Sequence, residues 1–146
     1  MTSHTEEVVH GGLVLALIVR ADFQAEGVAF LTPQTYSQQL GYMRHPAGKV
    51  IVAHAHNLKP RTVEYTQEVL VIRRGKLRVD FYDEGGEYLE SRVLVSGDVI
   101  LLIHGGHGFE VLEDIDMIEI KQGPFVGQDD KRYFPNVDAS RVKLPS

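Results

Sequence analysis

Apolar and polar residues alternate with a period of two along several short stretches of this chain, the mark of half-buried β-strands. In KLRVDFYD (76–83), Leu77, Val79 and Phe81 take one face, while Arg78, Asp80 and Tyr82 take the other. The second set is expected to meet solvent or a neighbouring strand. DEGG (83–86) suits a hairpin loop. EYLESRVLV (87–95) then returns, with Leu89 and Val93 on one face and Glu90 and Arg92 on the other. VILLI (99–103) lies between Gly97 and Gly105, too short a span for a helix, and IDMIEIK (115–121) adds a further strand. GGLVLALIV (11–19) is apolar throughout, but a bilayer span needs about 20 residues. The acidic segment before it, MTSHTEEVVH, is unlike a signal peptide, so a buried strand is expected. The one candidate helix is short, Thr35 to Gln39.

Turn-forming residues punctuate these strands at short, fairly even spacing, which points to an all-β sandwich or barrel. Periodicity is lost from Gly123 onward, where GPFVGQDDKRYFPNVDASRVKLPS reads as a strap over the domain. Its aromatics Phe125, Tyr133 and Phe134 are candidates for docking, in the same chain or against a second subunit. A length of 146 residues fits one domain, 1–146, with a core over about 38–122, N-terminal strands in 8–32 and the strap in 123–146. The N-terminal run is more apolar than a small barrel requires, and a homodimer built by strand exchange or by sheet extension across a two-fold interface is expected from it.

Composition narrows the chemistry. The absence of cysteine excludes disulfides, thiolate metal sites and thiol nucleophiles. A formal charge of −5, with no run of more than two basic residues, argues against a nucleic-acid or anionic-membrane partner. With no export signal read, the cytoplasm is the expected compartment.

The segment KVIVAHAH (49–56) has a strand pattern that ends in two imidazoles. Val50, Val52, His54 and His56 share one face, because strand residues i and i+2 point the same way. Side chains about 7 Å apart at the backbone suit two nitrogen ligands on one metal ion. The spacing alone fits a solvent-facing pair at a strand end equally well.

The surroundings add to this. Gly48, His54 and His56 form G-x5-H-x-H, and Glu68 and Gly75 form E-x6-G. GDVILLIHGGHGF follows, with Gly97, Asp98, Gly105 and His107. Together these resemble the two signatures of the cupin superfamily, over residues 41–121. The resemblance implies a double-stranded β-helix, or jelly-roll, barrel. It further implies a divalent ion (Fe, Mn, Ni or Zn) held by His54, His56, Glu68 and His107. Two departures leave alternatives open. The loop NLKPRTVEYTQ between His56 and Glu68 is longer than the family's usual spacing, so Glu64 competes with Glu68. The turn before His107 is short and lacks the usual proline, so His104 competes with His107.

Further candidates come from the barrel mouth. Arg61 and Lys59 are suited to clamping a carboxylate or phosphate; each is also an ordinary loop charge. Tyr42 and Arg44 share a strand face toward a cavity, and Tyr65 is a proton donor or a loop anchor. Three functions are compatible with this reading. One is a metal-dependent isomerase, lyase or dioxygenase acting on a sugar-like or carboxylated small molecule. Another is a metal-free nucleotide-sugar isomerase or epimerase with a histidine base. The last is a non-catalytic barrel that binds a small ligand.

Overall fold

The computed structural model describes residues 4–146 and is all-β apart from two single-turn 3-10 helices, Gln128–Asp130 and Ala139–Arg141. Two compact units form: Met1–Asp22 with Tyr65–Ser146, and Phe23–Glu64. No helix among the described residues is long and apolar enough to cross a membrane.

The first unit is a single antiparallel sheet. Its strands are β1 (Thr5–His10), β2 (Leu13–Val19), β5 (Glu68–Tyr82), β6 (Tyr88–Val95), β7 (Val99–Leu102) and β8 (Gly106–Lys121); β3 and β4 belong to the second unit. The order is β1-β2-β7-β5-β6, with β8 on β5. Along one edge β5 pairs first with β7, through 68–71, and then with β6, through 76–82; its other edge carries β8 for its full length. The expected strands at 11–19, 76–83, 87–95, 99–103 and 115–121 all correspond to these elements, overrunning them at one end by one or two residues for the first four. The β5–β8 ladder is longer than alternation alone indicated, because it bends in the middle. Its register shifts between Ile72 and Leu77. There Gly75 has φ of 92°, and a Cβ on it would lie 2.0 Å from the Asp114 carbonyl oxygen. Only glycine permits that conformation and that approach. The sheet therefore curls strongly into a half-barrel.

Leu70, Ile72, Leu77, Val79 and Phe81 of β5 pack on the curled inner side with Ile18 and Ile100. The strand β6 departs from the expected facing. Leu94, opposite Leu77, joins the core, and Arg92, opposite Val79, shares that side. A buried guanidinium needs acidic partners; Arg92 finds Glu6, by a short contact, and Glu90 at 3.1 Å. Arg20 ties Glu6 (2.8 Å) to the buried Asp98 (3.0 Å). Asp98 also accepts the amides of Ala21 and Val95.

The outer face of β5 is covered as well. Asp80 and Tyr82 are buried: Asp80 meets the neighbouring strand β6 at Ser91, one of the two expected surroundings, and Tyr82 lies under the strap. The Tyr82 hydroxyl accepts the Val137 amide at 2.9 Å, and the Phe134 ring stands 4.9 Å from the Tyr82 ring. A Cβ on Gly106 would come within 2.3 Å of the Phe134 ring. Asp80 is neutralised by Arg78 at 2.8 Å and accepts from Ser91. Phe125 and Tyr133 stay exposed, so of the three strap aromatics Phe134 alone is seated.

The second unit contains the hairpin β3 (Gly27–Phe30) and β4 (Gly41–Arg44), paired Gly27↔Arg44 through Phe30↔Gly41. The helix expected at Thr35–Gln39 is absent; turns and bends occupy it. Five residues with no apolar stripe cannot offset the cost of helix nucleation. Residues 45–64 form no strand. KVIVAHAH, expected as one, has no ladder partner and leaves Val50, Ile51 and Val52 exposed.

The Glu6 contacts generate a pH-dependent prediction. Burial pushes the Glu6 carboxyl up, but hydrogen bonds and charge from Arg92 and Arg20 outweigh it and hold the group below its ordinary value of 4.5. Its stabilising contribution is therefore full above that value and lost as pH falls through the lower folded one. Glu6→Gln should cost about 1–3 kcal/mol at pH 7, measured by urea unfolding. The gap between the two proteins should narrow toward pH 3; a gap independent of pH contradicts the assignment.

Candidate functional site

Curling the β5–β8 ladder brings its two ends together. Glu68 opens β5 opposite Lys121, and His107, near the start of β8, lies opposite Phe81. In a flat ladder the thirteen positions from 68 to 81 would separate them by about 44 Å, at about 3.4 Å per residue. Here Glu68 Oε2 and His107 Nε2 are 3.1 Å apart. Directly opposite residues share a face, so His107 points to the same inner side as Phe81. Glu68 does so too, in phase with the core residues Leu70 and Ile72.

The pair borders a cavity of about 400 Å³ lined in part by Phe109, Glu84, Lys131, Arg132 and Tyr133. The Glu68 side chain is 10% exposed and that of His107 30%. The hydrogen bond from His107 holds the Glu68 carboxyl below the usual carboxylate range; burial pushes it up, and the charges of His107, Lys121 and Lys131 add to the lowering. The cavity wall thus carries an ionised carboxylate, an imidazole and two strap cations. Lys131 and Arg132 were missed by pattern reasoning because the strap has no period. Their one sequence signal is a basic pair beside two aromatics, KRYF, within the tail.

The competing residues separate. His104 does not meet Glu68 in the way His107 does: its Nδ1 lies 3.0 Å from the Val14 carbonyl, and its ring meets Tyr65 at 5.4 Å. Tyr65 is therefore an edge-on neighbour of an imidazole. Glu64 lies exposed in the second unit.

The other predicted residues are in the second unit. His54 and His56 are exposed, with ring centroids 5.4 Å apart. His54 Nδ1 is 2.8 Å from the Val52 carbonyl. With the proton on Nδ1 donated there, the Nε2 lone pair faces outward, the tautomer a metal ligand needs. Tyr42 stacks edge-on with Phe23 at 5.0 Å. Arg44 is engaged by Gln24 and Glu26 at 3.1 and 3.4 Å. Arg61 contacts its own loop, at the Lys59 carbonyl.

In neither unit, among the described residues, do three His, Asp or Glu side chains gather closely enough to hold a metal ion. Pairs of ligand-type side chains do occur: His54 with His56 in the second unit, and Glu68–His107 and the exposed His4–Asp22, each at 3.1 Å, in the first; of these, Glu68–His107 borders the cavity. The Glu68–His107 pair fits a metal. Two donors at about 2.1 Å from one ion stand about 3.0–3.4 Å apart for angles between about 90° and the tetrahedral value; the hydrogen-bonded separation here is 3.1 Å, so an ion would take the place of the shared proton. The mixed oxygen and nitrogen set suits a borderline first-row ion. The chain matches no family model, no curated protein and no solved structure.

If His107 is what lowers the Glu68 carboxyl, then His107→Gln should raise the pH at which that carboxyl titrates, back toward 4.5. A carbon-detected NMR titration of chelator-treated protein reads this, and an unmoved midpoint contradicts the pairing.

Proposed function

We propose that this chain is a metal-binding cupin with a double-stranded β-helix barrel, acting on a sugar-like or carboxylated small molecule as an isomerase, lyase or dioxygenase. The observation that carries the reading is the Glu68–His107 pair, at ligand spacing on the wall of a cavity. His54, His56, Glu68 and His107 would hold Fe, Mn, Ni or Zn. Such an ion polarises a carbonyl or lowers the pKa of bound water.

The chain's own groups then have distinct tasks. Lys131 and Arg132 attract a carboxylate, Arg132 as the planar fork that matches it. Phe109 excludes water on the inner wall. Tyr65, edge-on to His104, is the hydroxyl closest in kind to a proton donor. Tyr42, Arg44 and Arg61 remain candidates for substrate contact, with Arg44 held by its acidic neighbour Glu26.

A specific observation also favours the metal-free reading. A histidine hydrogen-bonded to a buried carboxylate is an oriented general base, and the carboxylate stabilises the imidazolium that forms. Glu68 and His107 stand in that relation. A nucleotide-sugar isomerase would use them to move a proton beside a carbonyl. Ligand binding without turnover is the third outcome.

Elemental analysis separates these readings. Protein purified and reconstituted with each of the four ions should hold one equivalent of at least one of them, and His54→Ala with His56→Ala should cut it at least tenfold. Protein that takes up none of the four contradicts the metal reading. The metal-free enzyme would keep its activity through chelation and lose it in His107→Ala.

A further inference from the structure

Among the described residues, β8 pairs with β5 alone. Its second edge therefore offers a row of unpaired backbone groups, a template for another strand. The side chains beside that edge are not those of a finished surface. Phe109 and Val111 lie opposite Val79 and Leu77 of the core, on the inner side, yet are 38% and 53% exposed. Edges that natural proteins leave open are short, bulged or protected by charge; bulges and acidic residues protect β8 from 113 onward, while 107–112 is regular and carries the exposed Phe109 and Val111.

The same chain carries a strand-patterned segment with no partner. Residues 49–56, KVIVAHAH, alternate as a strand does, and Val50 and Val52 are 77% and 79% exposed. Charge favours their approach, through the basic residues that flank the segment rather than through the segment itself, whose one charge is Lys49. The strand β8 bears Glu110, Glu113, Asp114, Asp116 and Glu119 against one lysine. Lys76 and Arg78 answer Glu113 and Glu110 from β5. Residues 44–61 carry Arg44, Lys49, Lys59 and Arg61 and no acidic residue.

We propose that residues 49–56 of one copy add as an antiparallel strand to the open edge of β8 in a second copy, reciprocally. The ligand set then draws His54 and His56 from one chain and Glu68 and His107 from the other. The ligand assignment rests on the function proposed above; the strand addition does not.

Register supports the match. With His54 opposite His107, Val52 falls opposite Phe109 and Val50 opposite Val111, so apolar meets apolar on the inner face. A slip of one residue would turn both histidines outward. A slip of two keeps them inward, with His56 opposite His107 and Val52 opposite Val111. Reciprocal exchange about a two-fold axis gives a closed dimer rather than an open chain of copies, and covers the half of the β8 edge that flanks His107.

The lack of native cysteine makes the test direct. Val52→Cys is combined with Phe109→Cys, or with Val111→Cys for the two-residue slip, and the folded protein is oxidised mildly. A disulfide-linked dimer on a non-reducing gel, from one of the double variants and from neither single variant, is expected. An intrachain disulfide, seen by mass as a monomer without free thiols, overturns exchange between copies. Failure of both double variants to form any disulfide overturns strand addition altogether. A second arm mixes His54→Ala/His56→Ala protein with Glu68→Ala/His107→Ala protein after unfolding and refolding together. Recovery of roughly a quarter of the wild-type metal per chain is expected, since half the dimers are mixed and each holds one intact site. Cross-linking without metal in the wild type would sink the ligand reading and keep the exchange; metal in the wild type without recovery in the mixture would sink the shared site.

Discussion

The bend in the β5–β8 ladder at Gly75 is the constraint from which the rest follows. Two long strands paired along their full length would ordinarily make an extended, twisted ribbon with its ends far apart. A glycine with φ of 92°, pressed against the Asp114 carbonyl, folds that ribbon back on itself. The fold-back turns a ladder into a half-barrel and sets its two ends, Glu68 and His107, face to face. Without it both residues would be ordinary strand ends. The same curl creates the inner wall whose apolar side chains the β7 and β2 strands cover, and whose outer strand is left uncovered.

Charge is distributed with a logic that follows from burial. On the β1–β2–β7 side, Arg20 and Arg92 are satisfied by Glu6, Glu90 and Asp98, a closed network beneath the sheet. On the outer face, Asp80 is answered by Arg78, and the strap seals it through Tyr82 and Phe134. Both networks hold structure and face no cavity of the candidate site. The Glu68–His107 pair differs, because Lys131, whose charge acts on Glu68, and Arg132, which lines the same cavity, come from an irregular segment. Strands set the donor pair and the strap sets the charge around it, which divides the site between a rigid scaffold and a loop.

Period-two alternation made most of the sheet legible, since it records directly which side chains face inward. It failed where facing is decided by charge pairing: Arg92 lies on the core side because Glu6 meets it there. It also failed where burial comes from a distant segment, as with Tyr82 under the strap. KVIVAHAH shows the limit of the method most clearly. Alternation states that a segment can be a strand but carries no information about its partner. Glu68 and His107 were picked out by motif spacing, and their approach depends on a bend that only Gly75 announces. Lys131 and Arg132 had no periodic signal at all.

The regular half of the β8 edge, with Phe109 and Val111 exposed beside it, is the proposed seat of a covering strand. The most direct measurement is residue-resolved amide hydrogen exchange along β8 at several protein concentrations. The amides of 107–112 that donate nothing to β5 should exchange slowly in concentrated protein and quicken on dilution, as a covering strand from another copy departs. Equally fast exchange of those amides at every concentration would mean that the edge stays bare, and would contradict the account.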